Sequence, residues 1–296
     1  MSIDFEKEFE LYAYGESLAS QTARLGLAEK GVEYKHHHVF LESKGEHLTA
    51  NYKRINPKCL VPTLLHSGQP IHDSVKILEH LDEYAQQNGP KLFPCDQTLN
   101  SEVGALIREF ALDEEINLGD NFGTAVALGS SQILARLLCK RPILDVIWDY
   151  LTKHPDKQRA PIFLMIRLLG KPPNAIYKKS ITGIAKGILF VDSVLSHGKD
   201  YLVGDYSAAD CLLTDLLHRL EDIALHSVLT SDRVPFIRDY WPRVKERKSY
   251  KTAILDWELD EWREVKAQLY GNGENPEINF FWSEFDRLQN SQSRGG

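Results

Sequence analysis

Nothing in this chain lets two cysteines act together. Cys59, Cys95, Cys139 and Cys211 are scattered, with no C-x-x-C pair, which excludes a zinc ribbon and a dithiol redox motif and suits a reducing compartment. Basic excess is missing too. Against 35 Lys and Arg stand 42 Asp and Glu, a formal net charge of −7, so no nucleic-acid partner is expected, since non-specific binding needs a basic face. Long apolar runs are also absent. The longest, Ile162-Phe163-Leu164-Met165-Ile166-Arg167-Leu168-Leu169, falls far short of the roughly 20 residues that cross a bilayer and contains an arginine. The acidic stretch Met1 to Glu10 has no apolar signal core and the C-terminal residues do not read as a membrane anchor, so the expectation is a cytoplasmic chain without an anchor. There is no internal repeat and no low-complexity segment.

What is present is ordinary in bulk and specific in detail. A length of 296 residues allows two domains, and 43% hydrophobic with 26% charged residues suits a soluble globular protein. The informative stretch is Leu60-Val61-Pro62-Thr63-Leu64, then His66-Ser67-Gly68-Gln69-Pro70, then Asp73-Ser74. It reads as a short strand led by proline, a tight turn, a second strand and a helix start. Proline before a strand cannot join the ladder and marks an irregular, cis-capable edge. The backbone of Val61 is thereby open to an extended, peptide-like ligand, and a helix start at Asp73-Ser74 favours a carboxylate.

Around that stretch, residues 10–14 alternate as a strand and Ser17 to Lys30 reads as a helix closed by Gly31. Val32 to Phe40 reads as a second strand, 41–58 as a polar segment, and Asp73 to Gln87 as a helix. Residues 88–98, with two prolines and a glycine, read as a linker. Beyond it, 99–117, 131–139, 142–153, 175–196, 208–224 and 236–248 carry helical periodicity. The region 154–175 reads as a connection, and the tail from about Tyr270 as loosely ordered.

Three motifs give the chain a resemblance to the glutathione transferase superfamily over residues 10–255. They are Leu11-Tyr12-Ala13-Tyr14 with Ser17-Leu18-Ala19-Ser20-Gln21 and Arg24-Leu25; Asn56-Pro57 with Val61-Pro62-Thr63-Leu64 and Asp73-Ser74; and Tyr201-Leu202-Val203-Gly204-Asp205-Tyr206-Ser207-Ala208-Ala209-Asp210. Ser207 and Asp210 also have capping-box spacing, which assigns them a structural role. The resemblance implies an α/β plus all-α fold, an N-terminal thioredoxin-like domain followed by an all-helical C-terminal domain. Its expected bounds are 8–87, a linker at 88–98, a helical domain over 99–265 with an extended insert around 120–175, and a polar tail at 270–296. Within the superfamily the chain resembles the tetrachlorohydroquinone-dehalogenase-like, β-etherase-like and ganglioside-induced differentiation-associated branches.

The resemblance also implies glutathione as co-substrate and a small hydrophobic or aromatic electrophile as its partner. Ser17 holds the position of the thiol activator in the serine classes, seven residues before Arg24. A free thiol has a pKa of about 8.5, so a donated hydroxyl proton and the positive end of a helix favour the thiolate. Read only as a helix cap, Ser17 is equally ordinary. Ser20 is the second candidate catalytic residue. Val61 and Pro62 are expected to hold the cysteinyl backbone, Asp73 and Ser74 the γ-glutamyl end, and His47 and Lys53 the glycyl carboxylate. The electrophile pocket is expected near Tyr14, Glu16, Phe110, Asn117, Phe122 and Trp148. Ala19 stands where the dehalogenase-like branch carries its nucleophilic cysteine, which argues against that branch's mixed-disulfide route. Cys59 reads as a small inert side chain. His36-His37-His38 is not expected to bind metal, because on a strand only His36 and His38 share a face. A homodimer is expected from the family. The rival reading is a non-catalytic binding or regulatory protein with the same fold.

Overall fold

The computed structural model describes residues 3–112, 116–271 and 273–295. In chain order its main elements are β1 (Phe9–Ala13), α1 (Leu18–Glu29), β2 (Lys35–His38), α2 (Ala50–Ile55), β3 (Thr63–His66), β4 (Gln69–His72) and α3 (Ser74–Tyr84). Then come α4 (Gln97–Phe110), α5 (Phe122–Gly129), α6 (Ser131–Leu138), α7 (Ile143–Trp148) and α8 (Arg159–Leu169). Last are α9 (Asn174–Leu195), α10 (Ala208–Asp222), α11 (His226–Leu229), α12 (Pro235–Glu246), α13 (Lys248–Ala253), α14 (Asp260–Tyr270) and α15 (Ile278–Gly295). The chain groups into two compact units. One comprises residues 1–89, 131–172 and 252–265, the other 90–130, 173–251 and 266–296.

The first unit is built on a four-stranded sheet in the order β2-β1-β3-β4, with β1 and β2 parallel and the other pairs antiparallel. Alternation along β1 sends Phe9, Leu11 and Ala13 into a core with Ala23, Leu27, Leu64, Ile77 and Leu81. Helices α1 and α3 meet at Gly26, where a Cβ would lie 2.2 Å from the Leu78 side chain. The β3–β4 hairpin turns on Ser67 and Gly68, both at positive φ (49° and 77°), as a two-residue loop matched to strand twist requires. This is the β-α-β-α-β-β-α order of a thioredoxin-like domain. Helices α6, α7 and α8 belong to the same unit. Leu138, Val146, Tyr150, Ala160 and Ile166 share a cluster there with Leu48 and Cys59.

The second unit is all helical. In it α5, α12 and α15 pack on α9, and α4 packs on α10. Helix α10 buries every residue except Glu221. Its start is a capping box in which the buried Asp210 carboxylate accepts from the N–H of Ser207 (2.9 Å), the Ser207 hydroxyl (2.8 Å), the Leu202 N–H (3.2 Å) and the Tyr240 hydroxyl (2.9 Å). Phe110 and Phe122, expected beside an electrophile, are buried here as an edge-on pair with ring centroids 6.2 Å apart.

Two sequence expectations are overturned. The stretch 154–175 is not a plain connection, because it carries α8. Pro161 sits in the first turn of α8, where the missing N–H has no helical partner to lose. The tail is not loosely ordered over its described part, because α15 packs on α9 with Phe281 and Phe285, one helical turn apart, both buried. The polar C-terminal residues masked that apolar face. Residues 131–172 group with the N-terminal residues in the first compact unit. The expected helix over 99–117 ends at Phe110, and its residues 113–115 lie outside the described residues.

A Cβ on Gly123 would lie 2.0 Å from the Phe110 carbonyl oxygen. Gly123→Ala is therefore expected to cost about 2 kcal/mol or more in urea unfolding. Gly104→Ala, where the nearest foreign atom is 3.9 Å away, is expected to be neutral or stabilising by about 0.5–1 kcal/mol.

Candidate functional site

The site begins at the first turn of α1. Ser17 is its N-cap, with extended backbone (φ −75°, ψ 124°), and its Oγ accepts from the Ser20 N–H at 3.4 Å. Ser17 is partly exposed, whereas Ser20 is buried and its Oγ accepts from the Tyr14 N–H at 3.4 Å. Of the two candidate serines, only Ser17 is partly exposed.

The loop carrying Ser17 is clamped from beneath by Arg24. Its buried guanidinium donates to the carbonyls of Gly15 (2.6 Å), Tyr14 (3.3 Å) and Ala253 (2.6 Å), and stacks on Trp257 with 5.4 Å to the ring centre. Residues 252–265 form a strap on this loop. Glu16 accepts from the Leu259 N–H at 2.8 Å, and a Cβ on Gly15 would lie 2.5 Å from the Trp257 carbonyl oxygen. Glu261 receives the hydroxyls of Tyr14 (3.2 Å) and Ser43 (2.9 Å), with Lys140 at 3.5 Å. Burial and these carboxylates push the Tyr14 phenol well above its ordinary pKa, so it stays protonated. Sequence reasoning missed the strap. Its visible signal was an aromatic pair, Trp257 and Trp262, with Ile254, Leu255 and Leu259 among acidic residues.

The second part of the site lies at the sheet edge. The Val61–Pro62 peptide is cis, and both ladders of β3 begin at Thr63, leaving Val61 outside the sheet pairing. Asn56 Nδ2 and the Tyr52 hydroxyl anchor the preceding Leu60 carbonyl at 2.9 Å and 2.5 Å. Asp73 caps α3 with its own carboxylate, which accepts from the N–H groups of Val75 (2.9 Å) and Lys76 (3.2 Å), at a positive φ of 77°. The Ser74 hydroxyl has no hydrogen-bond partner among the described residues, and its amide is one of those a helix start leaves open. Val61, Ser74 and Ser17 thus retain donors or acceptors of the kind a tripeptide with a carboxylate and a thiol needs.

His47 and Lys53 are turned elsewhere. His47 is buried with Tyr150 and His154 of the insert at 6.3 and 6.5 Å between ring centres. Burial, with the nearby His154, Arg141 and Arg159, pushes its pKa down to about 3, so it is neutral. The Lys53 ammonium donates to the Lys153 carbonyl, also in the insert. The histidine run divides as strand geometry dictates. His37 stacks on Tyr12 and bonds Glu10 at 2.7 Å, while His36 and His38 share the other face, His36 against Trp257. Among the described residues no group of three or more His, Cys, Asp or Glu is arranged to hold a metal ion. Cys59 is buried, and burial pushes its thiol pKa up, the opposite of a reactive thiolate. Trp148 is exposed.

Residues 16–84, which span the Ser17, Val61-Pro62 and Asp73-Ser74 elements, match the glutathione S-transferase N-terminal domain family. Over that stretch the chain carries a glutathione S-transferase N-terminal domain. It is 28% identical over 252 residues to glutathione S-transferase TCHQD of Arabidopsis thaliana, covering 83% of this chain and 89% of that protein. To the tetrachloro-p-hydroquinone reductive dehalogenase of Sphingobium chlorophenolicum it is 27% identical over 253 residues, 83% of this chain and 95% of that one. The crystal structure of β-etherase LigF from Sphingobium sp. strain SYK-6 shares the fold, with a TM-score of 0.73 at 20% identity over 84% of this chain and all of that one. The family is one of enzymes that use glutathione as co-substrate.

Because His47 is neutral when folded and titrates near 6.5 in an unfolded chain, the unfolded state binds more protons between those values. Its contribution to stability is full above about 6.5 and is lost as pH falls toward about 3. Lowering the pH from 7 to 5 is expected to cost about 2 kcal/mol through this residue. Thermal melts of the wild type and His47→Gln at the two pH values test it, the variant showing the shallower decline.

Proposed function

We propose that the protein is a glutathione-dependent transferase in which the Ser17 hydroxyl stabilises the glutathione thiolate for attack on a hydrophobic or aromatic electrophile. The observation that carries this reading is the partly exposed Ser17 on the first turn of α1, in a loop held rigid by Arg24 and the 252–265 strap. A hydroxyl donor and the helix N-terminus both lower the energy of an adjacent anion. Val61 and Pro62 take the cysteinyl portion along the free sheet edge, and Ser74 with the first turn of α3 takes the γ-glutamyl carboxylate. Asp73 supports Ser74 by capping that turn. His47 and Lys53 play no part in this reading, because their polar ends face the insert.

Ala19 favours direct displacement over a protein mixed disulfide. In that chemistry the thiolate forms a carbon–sulfur bond while the leaving group departs with the bonding electrons. Cleavage of an aryl ether is the second reading, supported by 34% identity over 94 residues to protein LigF.

Glutathione-affinity retention and a conjugation assay with an aromatic halide test the proposal. Ser17→Ala is expected to lower kcat/KM at least about tenfold near neutral pH, with the loss shrinking as pH rises toward the thiol's own pKa. Because Ser17 is also a cap, Ser17→Thr and Ser17→Asp are compared, since both keep capping and only the first keeps a hydroxyl. Equal activity in Ser17→Asp and Ser17→Thr would remove Ser17 from the chemistry.

A further inference from the structure

Helix α7, the helical turn that continues it and helix α8 turn Val146, Tyr150, Ala160 and Ile166 into one cluster with Leu48 and Cys59. Their outer faces are bare. Leu144, Trp148 and Leu151, spaced four and three residues apart, lie along α7 and the helical turn that continues it. Ile162, Leu168 and Leu169 lie on α8. These six are between 42 and 74% exposed and make up six of the fourteen exposed large hydrophobic residues among those described. Single exposed apolar residues are commonplace, but a cluster of this kind marks a surface that is covered by something.

The charge around the cluster says what covers it. Residues 131–172 carry eight Lys and Arg against three Asp, a net of +5 inside a chain of net −7. Arg136 and Lys157 are exposed and have no ion pair among the described residues. A second copy of the same face would set two positive surfaces against each other. Exposed leucine and tryptophan on a segment of net positive charge match the composition of an element that lies in a bilayer interface. No described helix is long and apolar enough to cross a membrane.

We propose that the 131–172 insert docks this protein peripherally on an anionic lipid surface. The Leu144–Trp148–Leu151 face enters the boundary between headgroups and acyl chains, and the insert's basic residues meet the acidic headgroups. The inference rests on this surface alone and is independent of the glutathione chemistry. Docking there would bring the thioredoxin-like unit, on which the insert is packed, to a phase where hydrophobic electrophiles concentrate.

The test is co-sedimentation of the purified full chain with phosphatidylcholine vesicles, with and without phosphatidylserine, at low and high salt. Binding is expected only with phosphatidylserine and is expected to weaken with salt. Leu144→Ser with Leu151→Ser is expected to reduce partitioning at least about tenfold, and Lys157→Gln about fivefold. Unchanged thermal midpoints and unchanged glutathione-affinity retention certify that the variants are folded. The proposal is overturned by failure to sediment with phosphatidylserine vesicles, or by partitioning that the leucine pair leaves unaltered. It is equally overturned by sedimentation velocity showing a dimer that the leucine pair dissolves, which would assign the face to a second copy.

Discussion

The Arg24 guanidinium is the constraint on which the site geometry depends. A buried cation needs every donor satisfied and its charge offset. Arg24 donates to three backbone carbonyls and lies against the face of Trp257. Two of those carbonyls belong to Tyr14 and Gly15, immediately before the Ser17 cap, and the third to Ala253 at the start of the strap. One side chain thus sets both the path of the loop that presents the hydroxyl and the seat of the segment that packs on it. The tight fit of Gly15 beneath Trp257 and Leu259 follows from the same arrangement, since any side chain there would displace the strap.

A second consequence concerns what the insert does to the thioredoxin-like unit. Leu48 and Cys59, on either side of α2, would be partly bare in a lone four-stranded domain. Here Val146, Tyr150, Ala160 and Ile166 cover them. That burial neutralises His47 and draws Lys53 to a carbonyl of the insert. Two residues whose type suits an anion are thereby converted into structural contacts, and the candidate elements that remain for the proposed ligand are Ser17, the Val61 edge and the start of α3. The insert also leaves an apolar, basic outer surface, so its inward and outward faces have different work.

Much of this was legible in the chain. The Ser17 cap, the Val61-Pro62 irregularity, the Ser67-Gly68 turn, the Asp73 cap and the Ser207–Asp210 box are local features, written in residue type and spacing over three or four positions. Local rules suffice where hydrogen bonds close within one turn. The fates of His47, Lys53, Phe110 and Phe122 were not legible, because each depends on a partner a dozen or more residues away. The helix α15 was hidden for a related reason, since only the packing of Phe281 and Phe285 on α9 reveals that its polar remainder is a solvated face.

The sequence by itself determined the resemblance to glutathione transferases, the order of the four strands with α1 and α3, and the position of the hydroxyl that caps α1. These rest on caps, turns and alternation, whose energetics are settled between near neighbours. Only the tertiary structure decided which of Ser17 and Ser20 is partly exposed, because Ser20 is buried against the Tyr14 amide once the loop is clamped. It also decided that 131–172 and 252–265 join the N-terminal unit. That choice is made by burial of apolar surface and by the need of one arginine for carbonyl partners, and neither has a signature at fixed spacing.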